Sequence, residues 1–109
     1  MGGRFPISVG YTRRPMSLNH NSYFDGKVQS VGFQRNGRKI TSGVIAPGEY
    51  HFGTEAAERM TITNGQVEVK IDGTSTFVVY PVGTAFEIGA KSGFDIRARE
   101  PAAYICEYL

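Results

Sequence analysis

Residues 47–65, PGEYHFGTEAAERMTITNG, bring Glu49, Tyr50, His51, Thr54 and Glu58 close together along the chain, with Phe52 among them. A transition-metal site needs three or four N, O or S donors converging on one point. Strand alternation places Phe52 and Thr54 on one face and His51 on the other, so the stretch's one histidine does not share a face with them. Glu58 alone cannot build such a site. Together with Phe52 and with Phe86 further on, it can instead floor a flat apolar slot, the usual build of a small-molecule pocket. Taken singly, each phenylalanine reads as core packing. A buried Glu58 would need a partner or a raised pKa, whereas at the end of a surface strand it would need neither.

The elements that position these residues are short strands. A chain of 109 residues with 14 glycines, 5 prolines and no tryptophan suits one all-β domain. Strands are expected near 28–33, 40–45, 49–54, 58–63, 66–71, 75–80, 85–88, 94–98 and 103–108. Alternation puts Met60 with Ile62, Val67 with Val69 and Ile71, Phe86 with Ile88, and Phe94 with Ile96. Asn36-Gly37, Asn64-Gly65 and Asp72-Gly73 are signals for two-residue hairpins, whose central positions need positive φ. Eight or nine strands with one apolar face each bury it as a small barrel or double-sheet jelly roll.

The opening stretch resembles the first metal-binding box of the cupin fold. With six residues between Glu58 and Gly65, Glu58 takes the acidic position and the two histidine positions fall on Phe52 and Thr54. The second box resembles YPVGTAFEIGA, where Pro81 and Gly83 make the turn, Phe86 replaces the histidine and Ala90 the asparagine. The expectation is a cupin-like jelly-roll β-barrel without its usual metal ligands. No metal site is assigned.

Three longer segments are more specific. NSYFDGKVQSVGF, SGVIAPGEYHFGTEAAERMTITNG and REPAAYICEYL, at 21–33, 42–65 and 99–109, resemble in order and spacing the small cupin-like pyrimidine/purine nucleoside phosphorylase family of bacteria. The resemblance spans about residues 19–109, expected to form the domain, with 1–18 as a flexible N-terminal extension. It implies a metal-free homodimer that splits purine and pyrimidine nucleosides with inorganic phosphate, a co-substrate, to free base and pentose 1-phosphate, without a cofactor. Such a reaction passes through an oxocarbenium-like transition state. It needs a phosphate cradle, for which Lys27, Ser30, Arg38 and Lys39 are the candidates. It needs an acceptor for ribose hydroxyls that also stabilises the developing cation, for which Glu58 is chosen, with Thr54 beside it and Glu49 as the alternative. It also needs a flat surface for the base, from Phe52, Phe86 or Tyr104.

Charge and cysteine usage narrow the partners. The net charge is +2, but Arg4, Arg13 and Arg14 account for three of twelve basic residues, leaving nine against ten acidic ones beyond residue 15. Nucleic-acid binding would need a dense basic face, so none is expected. Cys106, in AAYICEYL, has no histidine near it in sequence and reads as a small core residue. One cysteine and no apolar run of membrane-spanning length fit a reducing cytoplasm and no membrane partner. The competing function is a non-catalytic cupin that binds a sugar or nucleotide.

Overall fold

The computed structural model describes residues 17–109, so the expected 1–18 extension lies, up to residue 16, outside the described residues. Ten strands follow in order: β1 (Asn19–Tyr23), β2 (Val28–Arg35), β3 (Arg38–Ile45), β4 (Gly48–Gly53), β5 (Glu58–Asn64), β6 (Gln66–Ile71), β7 (Val78–Pro81), β8 (Ala85–Ile88), β9 (Gly93–Ala98) and β10 (Ala102–Tyr108). They form two antiparallel sheets, a six-stranded one in the order β1-β2-β3-β10-β5-β8 and a four-stranded one in the order β4-β9-β6-β7. This is the expected all-β, cupin-like jelly roll. It is built as two hydrogen-bonded sheets packed face to face.

The core between the sheets follows the alternation of apolar side chains. Val28, Ile45, Met60, Ile62, Val67, Phe94 and Ile96 are almost completely buried. At about 1.5–3 kcal/mol for each large apolar side chain taken from water, these residues supply much of the force that holds the layers together. Phe86 belongs to this core, edge-on to Phe94 with ring centroids 5.5 Å apart and tilted against Tyr80 at 4.7 Å.

Three local expectations need correction. Asn36-Gly37 does make a two-residue hairpin, with φ of 53° and 77° and Arg35 facing Arg38. Asn64-Gly65 does not, because β5 pairs with β10 and β8 while β6 belongs to the other sheet, so this turn carries the chain across the sandwich. Asp72-Gly73 opens a longer connection, since β6 and β7 pair only from Val69 opposite Val78 onward. The strand expected at 75–80 accordingly begins later, at Val78. β1 was not anticipated: its sequence, NHNSY, is polar throughout, and it is held at the sheet edge by pairing with β2.

Candidate functional site

Three neighbouring rows on the inner face of the six-stranded sheet place the polar side chains. In the first, Ser30 lies opposite Gly43, Gly43 opposite Tyr104, and Tyr104 opposite Ile62. In the second, Thr41, Cys106 and Met60 stand side by side, and in the third Tyr108 faces Glu58. Gly43 is a spatial requirement of the first row. A Cβ there would overlap the end of the Tyr104 ring, so its absence lets the ring lie flat across β3 toward Ser30.

Between these rows and β4 is a cavity of about 250 Å³. That is just below the roughly 300–1,000 Å³ usual for ligand pockets. Its wall carries Ser30, Thr41, Glu58, Tyr104, Cys106 and Tyr108. Tyr23, Phe24 and Phe52 stand at its mouth, with His51 and Gly53 on the rim. Tyr23 and Phe24 are about half exposed, which marks the open side.

Glu58 is the buried carboxylate of this cavity. Burial pushes its pKa up, while the Cys106 thiol and the charge of Lys39 pull it back down. The thiol donates to Glu58 Oε1 over 3.4 Å. Desolvation and the nearby carboxylate in turn hold the Cys106 pKa far above its usual range, so the cysteine is a donor and not a thiolate nucleophile. Burial likewise raises the Tyr104 phenol, and it pushes Tyr108 up to about 12. Both phenols therefore remain protonated donors near neutral pH. Lys39 Nζ lies 4.8 Å from the centre of the Tyr108 ring, a cation–π contact that keeps its charge beside the cavity.

A second polar cluster lies on the outer face of the four-stranded sheet. His51 Nδ1 donates to Asp95 Oδ1 over 2.8 Å, and its Nε2 lies 3.7 Å from Asp72 Oδ2. Lys70 approaches Asp95 at 3.7 Å, and the hydrogen bond from His51, with the lysine charge, holds the Asp95 carboxyl below its usual range. Ligating atoms of His51, Asp72 and Asp95 all lie within 4.8 Å of one another. These groups are mostly exposed and partnered among themselves, as in ordinary surface ion-pair networks.

Residues 18–108 match the family model described as pyrimidine/purine nucleoside phosphorylase. The chain belongs to the pyrimidine/purine nucleoside phosphorylase family. A relative of that name from Sorangium cellulosum is 56% identical over 92 residues, which are 84% of this chain and 99% of the relative. Another from Vibrio parahaemolyticus is 44% identical over 94 residues, 86% of this chain and the relative's full length. Among solved structures, a protein of unknown function from Vibrio parahaemolyticus superposes with a TM-score of 0.83 at 43% identity, covering 85% of this chain and 99% of that one. An RmlC-like cupin from Shewanella frigidimarina, with a TM-score of 0.68 and 14% identity over 84% of this chain and 82% of its own, is similar in fold alone.

In this member of the pyrimidine/purine nucleoside phosphorylase family the candidate residues divide by location. Glu58, Phe52, Tyr104 and Ser30 meet at the cavity, and Lys39 stands next to it. Thr54 is buried, but its hydroxyl donates to Gly89 O at 2.8 Å and accepts from Ser92 N at 2.9 Å, so it ties β4 to the loop before β9. Phe86 packs in the core, and Glu49 is exposed opposite Arg97. Lys27 lies in a shallow groove with His20, Gln29 and Val44, and Arg38 is exposed on β3. Tyr23, Phe24, Thr41 and Cys106 were missed as cavity residues. Alternation in AAYICEYL already put Cys106 on the same face as Tyr104 and Tyr108, whereas Tyr23 and Phe24 sit at and beyond the end of a strand with no apolar signal.

Proposed function

We propose that this chain is a nucleoside phosphorylase that cleaves purine and pyrimidine nucleosides with inorganic phosphate, giving free base and α-D-ribose 1-phosphate. The observation that carries the reading is a buried carboxylate, Glu58, in an aromatic-mouthed cavity with hydroxyls on the same wall, in a chain of this family. In the reaction, a phosphate oxygen forms a bond to C1′ as the C1′–N bond breaks. The bonding pair leaves on the base nitrogen, which takes up a proton equivalent to the one that the hydrogen phosphate gives up. Positive charge develops on the sugar between the two events.

Glu58 is assigned to accept hydrogen bonds from the ribose hydroxyls and to stabilise that charge. A fixed carboxylate in a desolvated cavity acts more strongly on a developing cation than one in water. Ser30 and Thr41 offer hydroxyl donors, and Lys39 offers the charge, for the phosphate. Tyr104 and Tyr108 supply further donors along the wall, and Phe52 supplies a face for the base. Lys27, in a neighbouring groove that shares Ser30 with the cavity, and Arg38, Thr54, Phe86 and Glu49, which do not line the cavity, are given no chemical step.

No cofactor is proposed. Of the positions where a cupin places its metal ligands, Phe52, Phe86 and Ala90 offer no donor, and the Thr54 hydroxyl is already engaged at both ends. A homodimer in the cytoplasm is the proposed working form, with nucleosides and phosphate as partners and neither nucleic acid nor membrane. The edge that β1 forms among the described residues and the exposed Val31 and Val44 on the outer sheet face suit a subunit contact. No helix among the described residues is long and apolar enough to cross a membrane.

The test is release of base from uridine and adenosine by chelator-treated protein, with and without inorganic phosphate. Product that depends on phosphate and survives the chelator is the expected result. Nucleoside binding without product would favour the non-catalytic binding cupin.

A further inference from the structure

The turn between β1 and β2 has a backbone that its sequence does not readily adopt. Phe24, Asp25 and Gly26 have φ of 54°, 56° and 84° in succession. A bulky aromatic residue with positive φ is uncommon, and such strain persists where surrounding contacts hold it. Here Gly26 N donates to Tyr23 O at 3.1 Å, Lys27 N to Phe24 O at 3.1 Å, and the Gln29 side chain to Gly26 O at 3.0 Å. The result is a phenylalanine thrown from the six-stranded sheet across the cavity mouth to the four-stranded one, still 45% exposed.

Its relation to Phe52 differs from the other aromatic contacts. The two rings are parallel within 11°, with centroids 6.1 Å apart. The remaining pairs are inclined: Phe24–Tyr50 at 49°, Phe52–Phe94 at 57°, Phe86–Phe94 at 77° and Tyr80–Phe86 at 40°. Ring quadrupoles favour edge-to-face and offset-stacked arrangements alike, and the parallel pair is the one whose planes match those of a flat ligand. A third flat ring fits between two parallel planes about 7 Å apart, twice a van der Waals contact of roughly 3.5 Å, so these planes, separated by no more than the 6.1 Å between centroids, must part to admit one. Phe52 is fixed by Phe94 behind it in a regular strand, whereas Phe24 sits on a short turn at the sheet edge. Opening the pair therefore falls to Phe24, through its half-exposed side chain, with the turn itself still held by its three hydrogen bonds.

We infer that the nucleobase is taken between Phe24 and Phe52, with Phe24, on the β1–β2 turn, as the movable jaw of an aromatic clamp and the sugar directed inward to Glu58. This rests on the phosphorylase reading for the ligand class. Both rings line the same cavity as the carboxylate, so one nucleoside meets all three. Neither ring carries a hydrogen-bonding group, so the clamp grips purines and pyrimidines by area alone. The two-ringed purine depends on it more.

The experiment measures equilibrium binding of adenosine and uridine, without phosphate, to the full-length protein and to Phe24→Tyr, Phe24→Leu and Phe24→Ala. Phosphate-dependent base release is followed in parallel. Phe24→Leu and Phe24→Ala are expected to raise Kd by about tenfold for adenosine and by less for uridine, with Phe24→Tyr close to the wild type. An unchanged melting temperature would assign the loss to the missing ring. Equal Kd values in the wild type and Phe24→Leu would overturn the clamp, as would failure of the wild type to bind either nucleoside. Binding with the expected pattern but no phosphate-dependent product would instead overturn the phosphorylase reading and leave the clamp standing.

Discussion

Glu58 and Asp95 are carboxylates on facing sheets, each held by a nearby hydrogen-bond donor, and they are driven in opposite directions. Asp95 meets a histidine and a lysine in contact with water, and its pKa falls. Among the described residues Glu58 meets a weak thiol donor, with the Lys39 charge further off, inside a cavity, and its pKa rises. At Glu58 burial outweighs the weak donor, and at Asp95 the hydrogen bond from His51 outweighs burial. On the outer sheet the ion pairs stabilise charges that water already stabilises, so little is gained or lost. In the cavity the same charge has been stripped of water, and part of its interaction capacity is left for whatever enters. An under-satisfied carboxylate facing an open cavity is the mark of a binding or catalytic group, and a fully partnered one on a wet surface is the mark of a structural one.

Replacing Glu58 with Gln should open the widest gap between the two sites. The substitution keeps shape and removes charge, and kcat/KM for phosphorolysis is expected to fall about 100- to 1,000-fold, as when a preorganised electrostatic contact to a transition state is removed. Stability should move the other way. A carboxyl whose pKa is raised by folding binds more protons in the native state, so native stability declines as pH climbs from the ordinary carboxylate range to the raised value. Glu58→Gln should therefore melt at the same or a higher temperature than the wild type above that range, with the difference disappearing in acid. Thermal melts across pH alongside kinetics would show it. A variant that loses stability at neutral pH while retaining activity would reverse the assignment of the two sites.

The cavity was only partly legible before the fold was known, and the reason is physical. Glu58 and Phe52 could be placed from spacing within one stretch, because strand periodicity is local. The contact between Glu58 and Cys106 joins residues 48 positions apart, and it exists only because β10 pairs with β5 in one register. Nothing near either residue encodes that register. Turns show the same divide: Asn36-Gly37 and Asn64-Gly65 have the same chemistry, yet only the first closes a hairpin, since pairing partners are chosen by burial across the whole sandwich. β1 was invisible because an edge strand of polar residues carries no apolar alternation, and with it went the aromatic residues at the cavity mouth. The strands with one clean apolar face, such as β6 and β9, appeared where alternation placed them.

Cys106 allows a finer test of the inner carboxylate. Replacing it with Ala deletes the donor that lowers the Glu58 pKa, so the acid limb of the kcat/KM profile should move to higher pH. Activity on that limb should drop roughly two- to tenfold, the equivalent of one net hydrogen bond. Cys106→Ser retains a hydroxyl donor and should keep the wild-type limb. If Ala and Ser variants share one profile, the thiol is only filling space, and Glu58 is tuned by desolvation and Lys39 alone.

The smallest effect belongs to the outer cluster, and its smallness is what the comparison requires. Asp95→Asn removes the partner of His51 and Lys70 on the wet face of the four-stranded sheet. Because folding lowers the pKa of Asp95, its contribution is present above the ordinary carboxylate range and is lost as pH falls through the depressed value. The variant should melt within about 3 °C of the wild type at neutral pH and converge with it in strong acid, the scale of a screened surface pair. Added salt should shrink the neutral-pH difference further, because exposed charges are screened much more than the buried Glu58. Phosphorolysis should stay within about twofold at every pH, since the pair faces away from the cavity wall that holds Glu58. A loss of activity larger than that, with the melting temperature unchanged, would mean that His51 reaches over the rim when substrate is bound, and that the two carboxylates belong to one site after all.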